Sequence, residues 1–214
     1  MARALNDKID ALFVEGPDDG AFVNAFLSNR EGIDLSRHPH RLVRTNADGG
    51  GDSWALREFE KYTTTARAGA RVGVVVDRDQ VGNDKWPAVH ALLRRLGGDV
   101  PDTPSAAGVI VQGRCGVWMW PDNISHGDLE TLVASILPPS ATLSYATEVC
   151  RVAKDDHGAE YEPRHARKAS LKVRSVWRDA SAAGGYGHLV RNLVLTETTA
   201  SAAFHAWFTR LFLT

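Results

Sequence analysis

Cysteine is scarce in this chain, and its spacing excludes two classes of protein. The 214 residues contain only two cysteines, Cys115 and Cys150, and these form no C-x-x-C pair. The spacing argues against a zinc ribbon and against the disulfide framework of a small secreted protein. We therefore expect both cysteines to be ordinary small residues in the core.

Excess charge of one sign and long apolar runs are also missing. The formal net charge is -1 at pH 7, so any contact with nucleic acid has to come from a local basic patch. No segment approaches the roughly 18 consecutive apolar residues of a membrane span. Residues 1–10 lack the apolar centre of a signal peptide. We expect a cytoplasmic protein without membrane contact.

Glycine and histidine motifs of common ligand sites are absent. Residues 49–51 and 184–185 are glycine-rich but lack the G-x-x-x-x-G-K-[ST] spacing of a phosphate-binding loop, so we predict no ATP site. His38 and His40 flank Pro39 without a nearby cysteine or second histidine pair. We interpret them as solvated loop residues rather than metal ligands.

Apolar runs and turn residues alternate over residues 10–137 in the order expected of an α/β protein. The run at 11–14 ends in a turn, and residues 22–27 have the spacing of one buried helical face. The run at 71–76 shows no polar alternation, as in a strand that is buried on both sides. We therefore predict a Rossmann-like, mostly parallel sheet with helices on both faces. Further strands are expected at 41–45 and within 108–120, and further helices at 52–67, 84–96 and 128–137.

The last third of the chain is predicted to be mainly helical. After a loop at residues 155–163, one apolar stripe is formed by Ala166, Ala169, Val173, Val176 and Trp177. A final amphipathic helix contains Phe204, Trp207, Phe208 and Leu211. We expect an α/β core over residues 1–140 and a helical region over residues 141–214 that packs on the same domain.

Acidic residues stand at the predicted ends of three core elements. The pairs are Glu15 and Asp19, Asp77 and Asp79, and Asp128 and Glu130. Residues i and i+2 of an extended strand point to the same side, so Asp77 and Asp79 are expected to face one site. Because ligands of open parallel sheets bind beyond the carboxyl ends of the strands, we expect all three pairs to converge there.

Crowded carboxylates repel one another unless a cation compensates them or their pKa values rise. Hard oxygen ligands suit Mg²⁺ or Mn²⁺ better than Zn²⁺. Mg²⁺ commonly binds one or two carboxylates together with substrate phosphate, which favours phosphoryl chemistry. The structural alternatives are a solvated turn for the Asp-x-Asp motif and a helix-terminal residue for Asp128.

A basic segment follows the acidic pairs. Residues 163–178 contain six Lys or Arg residues and no Asp or Glu. Arg164, Lys168 and Lys172 recur every four residues, opposite the predicted apolar stripe. This pattern is typical of a solvated helix face, but beside a phosphodiester site it also predicts phosphate binding. A lysine in that place would stabilise the charge of a transition state.

Two segments resemble the TOPRIM family. Residues 12–19 read LFVEGPDD and residues 75–79 read VVDRD, which match a strand ending in Glu-Gly and a later strand ending in Asp-x-Asp. TOPRIM domains occur in topoisomerases, bacterial primases, small RNA maturases and the overcoming-lysogenization-defect (OLD) nucleases. The resemblance implies a TOPRIM-like fold and a site for Mg²⁺ or Mn²⁺. Pro17 departs from the pattern, because relatives often carry a lysine there.

The resemblance to OLD-type nucleases implies further site residues. These enzymes also use an acidic residue four positions after the first Glu, a later Glu that begins a helix, and a downstream Lys. Asp19, Glu130 and either Lys168 or Lys172 occupy comparable positions. Residues 116–123, 127–130, 185–188 and 204–208 resemble a stand-alone TOPRIM-like family without an assigned activity, so the resemblance spans nearly the whole chain.

The chain lacks parts that two TOPRIM reactions require. A topoisomerase needs a tyrosine nucleophile on a separate domain, and a bacterial primase usually carries a zinc module. What remains is hydrolysis by a metal-dependent endonuclease that acts on DNA or RNA. The resemblance to OLD nucleases implies that its cleavage leaves a 5′-phosphate and a 3′-hydroxyl. In such an endonuclease, Glu15 or a metal-bound water would act as base, while Asp77, Asp79 and Glu130 would hold the metal.

A binding module is the alternative function. Such a module would hold nucleic acid or a separately encoded ATPase without catalysis. The oligomeric state is open, and a homodimer is among the alternatives. Trp118 and Trp120 are expected to pack in the core or at its rim, with stacking on a base as the lesser alternative.

Overall fold

The computed structural model describes residues 9–31, 42–46, 51–179, 185–191 and 193–214. The described strands are β1 (Ala11–Val14), β2 (Val43–Arg44), β3 (Val72–Asp77), β4 (Val109–Val111) and β5 (Cys115–Trp120). The described α-helices are α1 (Pro17–Glu31), α2 (Gly51–Thr65), α3 (Trp86–Arg95), α4 (Leu129–Ile136), α5 (Ala141–His157), α6 (Ala166–Arg178), α7 (Tyr186–Val190) and α8 (Thr199–Phe212). Two short 3₁₀ turns span Val81–Asn83 and Pro163–His165.

The strands form one mixed sheet in the order β2-β1-β3-β5-β4. Neighbouring strands from β2 to β5 run parallel, and β4 pairs with β5 in the antiparallel direction. The predicted mostly parallel α/β sheet is therefore confirmed, as is the strand pair within residues 108–120. Because β1, β3 and β5 are adjacent and parallel, the residues after their carboxyl ends lie at one edge of the sheet.

Helices cover both faces of this sheet. Leu12 and Val14 of β1 belong to one buried cluster, which also includes residues of α1, α4, α6, α7 and α8. Phe13, the residue between them, belongs to a second cluster together with residues of α2 and α3. The alternation of side chains along a strand produces this division. It confirms that the continuous apolar runs mark strands that are buried on both sides.

The C-terminal helix α8 crosses the sheet over β5. Its four predicted core residues, Phe204, Trp207, Phe208 and Leu211, are all fully buried. The helix approaches closely at Gly116, where a Cβ atom would lie 2.6 Å from Cδ2 of Leu211. Glycine at this position of β5 therefore permits the contact between helix and sheet.

The apolar stripe predicted for α6 is wrong. Its buried residues are Ser170, Leu171, Arg174 and Ser175, whereas Val176 and Trp177 are 46% and 44% exposed. The ring of Trp177 stacks on the ring of Tyr145 of α5 at a centroid distance of 5.6 Å. Trp177 therefore packs against the neighbouring helix α5 instead of being buried in the core. Ser170 and Ser175 take part of the core face, and the hydroxyl of Ser170 donates to the carbonyl of Ala166 at 2.9 Å.

Several predicted segments differ in extent from the observed ones. The predicted loop at 155–163 is shorter, because α5 continues to His157 and ends at Gly158, which has a φ of 71°.

Both cysteines are buried and free, as expected. The predictions for His38, His40, residues 48–50 and residue 184 fall outside the described residues. Among the described helices, none combines the length and the apolar character needed to span a membrane.

Candidate carboxylate site

Glu15 and Asp77 meet at the carboxyl ends of β1 and β3. The backbone N–H of Asp77 donates to Oε1 of Glu15 at 2.7 Å. Oδ1 of Asp77 accepts a hydrogen bond of 2.9 Å from the backbone N–H of Leu129, the first residue of α4. The predicted proximity of Glu15 and Asp77 is therefore confirmed. The two carboxylates connect two strands and a helix.

Asp19 and Glu130 approach the same point from α1 and α4. Oδ1 of Asp19 accepts from Nε1 of Trp120 at 3.1 Å, so the end of β5 holds the first turn of α1. Glu130 is only 7% exposed. Its Oε1 accepts from the hydroxyl of Tyr186 at 2.7 Å and lies 3.4 Å from Nζ of Lys168. The buried charge of Glu130 is thus paired and hydrogen-bonded.

These four carboxylates line one cavity of about 380 Å³, which we call cavity A. Its other lining residues are Gly16, Pro17, Asp18, Gly51, Leu129, Lys168 and Tyr186. The acidic pairs that the sequence predicted at strand ends therefore contribute Glu15, Asp19, Asp77 and Glu130 to a common space. Among the described residues that line cavity A, Lys168 is the one cation.

The acidic groups of cavity A raise one another's pKa values. Burial, followed by repulsion from Asp19, raises the pKa of Glu15 to about 8. Burial, followed by repulsion from Glu15 and Asp19, raises the pKa of Asp77 to about 10. Burial and the charge of Glu130 raise the pKa of Asp19 to about 7, against the hydrogen bond from Trp120. Without a cation, the cluster therefore retains protons at neutral pH.

Asp79 has a different environment from the one expected. Its φ of 66° takes the backbone out of the extended region, so the i, i+2 argument does not apply at this position, although Asp77 and Asp79 do line one common cavity. Its backbone exchanges two hydrogen bonds of 2.9 Å with Gly127. Its Oδ2 lies 3.0 Å from Nδ2 of Asn83 and 3.5 Å from Nζ of Lys85. Asp79 therefore has a hydrogen bond from Asn83 and shares Lys85 with Asp52, which lies 2.6 Å from the same Nζ.

Asp128 is the N-terminal cap of α4. Its Oδ1 accepts from the backbone N–H of Thr131 at 2.8 Å and from the hydroxyl of Thr131 at 2.6 Å. The structural interpretation of Asp128 as a helix-terminal residue is therefore confirmed. The same side chain also lines a second cavity.

This second cavity, cavity B, has a volume of about 430 Å³ and adjoins cavity A. Asp77, Glu130 and Lys168 line both cavities. The residues that line cavity B alone are Asp79, Gln80, Gly82, Asn83, Asp128, Arg164 and His165. The ion pair of Lys168 with Glu130 thus lies where the two cavities meet.

The three residues of the predicted basic stripe lie in three different settings. Burial works against the charged form of Lys168, but the charge of Glu130 holds its pKa above the ordinary value. Nζ of Lys172 lies 2.8 Å from Oδ2 of Asp18 and 4.9 Å from the ring centroid of Tyr186. Arg164 pairs with Glu162 at 2.6 Å and lines cavity B. Lys168 is therefore the residue of the stripe that both cavities share.

The donor set suits a hard divalent cation, but it is not arranged around one. Within the described part of the chain, no three His, Cys, Asp or Glu side chains are disposed to hold a metal ion. Instead, one oxygen of each of these four carboxylates accepts a hydrogen bond from the protein, as described above for Glu15, Asp19, Asp77 and Glu130. Oxygen ligands and unfavourable mutual repulsion fit Mg²⁺ or Mn²⁺. Binding would require the second oxygens of these groups or a rotation of their side chains.

Tyr186 is a site residue that the residue pattern alone did not identify. Its ring is buried and its hydroxyl reaches Glu130. The neighbouring Gly187 allows α7 to pack against α1, because a Cβ atom there would lie 2.5 Å from the carbonyl oxygen of Ala21. The Gly-Tyr-Gly motif was the available signal, since a tyrosine between glycines marks a place where the backbone approaches another element closely.

A larger cavity lies away from the carboxylates. It has a volume of about 550 Å³ and is lined by residues of α4, α5 and α6 together with Tyr161 and Pro163. It contains Cys150 and Leu171 but none of the acidic residues of cavity A. We assign the candidate site by its converging carboxylates and not by cavity size, because polar groups with displaced pKa values mark chemical sites more specifically.

Residues 9–213 match the family described as Protein of unknown function (DUF3226). The match covers almost the entire chain. No curated protein and no solved structure matches the sequence.

Proposed function

The chain belongs to the DUF3226 family, and we propose that it is a divalent-cation-dependent nuclease that hydrolyses phosphodiester bonds of nucleic acid. The observation that carries this proposal is the convergence of Glu15, Asp19, Asp77 and Glu130 in cavity A with Lys168 at its edge. Several half-buried carboxylates with raised pKa values beside a lysine are costly to a fold, and such arrangements cluster at functional sites. The resemblance of the same residues to the TOPRIM motif supports the proposal.

Glu15, Asp19, Asp77 and Glu130 of cavity A would hold the cation, and Asp79 and Asp128 would lie on the side of cavity B. Bound Mg²⁺ or Mn²⁺ would supply Lewis acidity toward phosphate oxygens and water. Among the protein groups, Glu15 would accept the proton of the attacking water: its pKa is raised to about 8 in the cation-free cluster, and the charge of a bound cation would favour the ionised form that can act as a base. Lys168 would donate hydrogen bonds to the phosphate. Lys172, whose Nζ lies 2.8 Å from Asp18, would add a second positive charge near the phosphate.

A non-catalytic binding module is the second candidate. It is favoured by the hydrogen bonds of Glu15, Asp19 and Asp77, which already occupy the carboxylates with protein donors. Such a module would bind nucleic acid or a separately encoded ATPase. That partner, a homodimer and the cytoplasmic location stay predictions of the sequence.

Cleavage assays distinguish the two candidates. Plasmid, single-stranded DNA and RNA would be incubated with the protein in Mg²⁺, in Mn²⁺ and in EDTA. A nuclease cuts at least one substrate with either cation and none in EDTA, and the Asp77→Asn variant does not cut. Binding without cleavage in all three conditions would favour the module. Cleavage that persists in EDTA would contradict a cation-dependent mechanism.

A further inference from the structure

Cavity B differs from cavity A in the chemistry of its walls. The acidic residues that line cavity B alone, Asp79 and Asp128, already accept hydrogen bonds from Asn83 and Thr131. Its other unshared polar lining residues are two amides, Gln80 and Asn83, and two basic residues, Arg164 and His165. Among the described residues, cavity A therefore adds three carboxylates to the shared Asp77, Glu130 and Lys168, whereas cavity B adds two carboxylates, two amides and two basic residues.

One wall of cavity B is a short loop that Arg78 holds in place. The guanidinium of Arg78 binds both oxygens of Asp84, at 3.2 and 3.0 Å. It also donates to the carbonyl of Asn123 at 3.1 Å and to the carbonyl of Ile124. Arg78 itself is 9% exposed. The loop of residues 79–84 is thereby fixed against residues 122–126, which keeps the cavity wall ordered in advance of binding.

Both of these fixed loops expose an aliphatic side chain. Val81 stands between Gln80 and Gly82, which both line cavity B. Val81 itself lies outside that lining and is 76% exposed, and Ile124, also outside it, is 53% exposed. Exposed aliphatic side chains of nucleic-acid-binding proteins insert between neighbouring bases and separate them from their stack. Amides in the same pocket match the donor and acceptor edges of a base.

We propose that cavity B is a nucleoside-binding subsite that receives one unpaired nucleotide next to the phosphate held at Lys168. The proposal rests on the proposed function for the position of that phosphate. A volume of about 430 Å³ lies within the range of small-molecule sites and suits a single nucleotide. A paired base inside a duplex cannot enter such a pocket without leaving its stack. The substrate class is therefore single-stranded nucleic acid or an unpaired end.

Binding without turnover tests the subsite separately from catalysis. Anisotropy of a labelled single-stranded 12-mer of mixed sequence would be measured in EDTA and in Ca²⁺, with the same oligonucleotide in duplex form as comparison. DNA and RNA versions of the single strand would show whether the sugar is also distinguished. We expect the single strand to bind at least roughly five-fold more tightly than the duplex, as one base–protein contact provides.

Two exposed positions give variants that keep the fold. Val81→Ser and Gln80→Ala are each expected to weaken single-strand binding by roughly three- to ten-fold and to leave duplex binding unchanged. Val194→Ser is the matched control for Val81→Ser, because Val194 is 91% exposed and lies outside the fixed loops 79–84 and 122–126. This control should bind like the wild type. Thermal unfolding of each variant would verify that the fold is intact.

The outcomes separate the subsite from the nuclease. Equal affinity for single strand and duplex, with no effect of Val81→Ser or Gln80→Ala, would overturn the subsite even if the protein cleaves nucleic acid. A preference for the single strand that depends on Val81 and Gln80 would support the subsite even if no cleavage is found. In that case the protein would be a binding module with the subsite and not a nuclease. An effect of Val194→Ser equal to that of Val81→Ser would also overturn the assignment to cavity B.

Discussion

The backbone N–H of Asp77 lies 2.7 Å from Oε1 of Glu15, so the carboxylate at the end of β1 is held by the end of β3. Asp77 in turn uses Oδ1 to hold the first residue of α4. One oxygen of each carboxylate thus has a structural partner. These two hydrogen bonds keep Glu15 and Asp77 close together in the fold although both have raised pKa values.

Replacing Asp77 by asparagine separates its charge from its hydrogen bond. Asparagine keeps an oxygen that can accept from the N–H of Leu129, while its neutral side chain relieves the repulsion with Glu15 and Asp19. We expect Asp77→Asn to reduce cation-dependent cleavage by about 100-fold or more. The melting temperature of the metal-free protein should hold or rise. Cleavage rates and thermal melts with and without Mg²⁺ provide the measurements.

Asp77→Ala is the companion variant. It should also abolish cleavage and leave the protein folded, but it deprives the Leu129 N–H of its partner and therefore costs about 1 kcal/mol relative to Asp77→Asn. A large loss of metal-free stability in Asp77→Asn would instead assign Asp77 a structural role.

Stability of the metal-free protein should depend on pH in an unusual direction. Unfolded carboxyls titrate at about pH 4, whereas the folded pKa values are raised to about 7 for Asp19, 8 for Glu15 and 10 for Asp77. Raised folded pKa values stabilise the protein fully below about pH 4, and this contribution declines as the pH rises through the folded values. We expect melting temperatures in EDTA to fall from pH 6 to about pH 9, and to fall less in Asp77→Asn. Identical pH profiles for both proteins would refute the displaced pKa of Asp77.

The hydroxyl of Tyr186 is predicted to stabilise the buried carboxylate of Glu130. Tyr186→Phe removes the 2.7 Å hydrogen bond and leaves Lys168 as the remaining partner of Glu130. We expect the free energy of unfolding to fall by about 1–2 kcal/mol, as measured by urea denaturation. Tyr145→Phe is a suitable control, since Tyr145 is 63% exposed and should show almost no change. Equal effects of the two substitutions would argue against a specific role for the Tyr186 hydroxyl.

Neutralising Lys168 should weaken nucleic-acid binding alike on every sequence, because phosphate contacts carry little sequence information. The log–log salt dependence of the affinity should become shallower by roughly 0.9 unit on duplex or 0.7 unit on single strands. Lys172→Ala should have a smaller effect, since Lys172 already pairs with Asp18 at 2.8 Å. Titrations at several salt concentrations measure these slopes.

Lys61→Ala is the control for this series, because Lys61 is an exposed lysine of α2 with a surface partner, Glu58. If Lys168→Ala and Lys172→Ala both match Lys61→Ala in affinity, slope and cleavage, the basic stripe is only a solvated helix face. The phosphate would then have to be bound elsewhere.

The sequence predicted the sheet and the meeting of Glu15 with Asp77 because both follow from local patterns. A continuous apolar run identifies a doubly buried strand, and parallel strands bring their ends to one edge. The conformation of Asp79 was missed, since its positive φ depends on the bridge to Gly127, which is distant in sequence. The contact of Tyr186 with Glu130 was missed for the same reason, because 56 residues separate the two.

The wrong prediction for α6 has a separate physical cause. Periodicity located an apolar stripe, but the helix packs against α5 as well as the core, so Trp177 stacks on Tyr145 while Ser175 is buried. Hydropathy does not distinguish these two kinds of contact. The sequence alone therefore predicts that the helix exists and where Lys168 stands in it, but it does not predict which face of the helix is buried.

Direct measurement of cation binding is the most stringent test of the carboxylate site. Mn²⁺ would be titrated into metal-free wild type and Asp77→Asn at pH 8, with bound and free ion distinguished by electron paramagnetic resonance. We expect the wild type to bind Mn²⁺ with affinity that increases with pH, because the cluster has to release protons. Asp77→Asn should bind at least about ten-fold more weakly. Equal Mn²⁺ affinity in the two proteins, or no binding by the wild type, would contradict a divalent-cation site at Glu15, Asp19, Asp77 and Glu130.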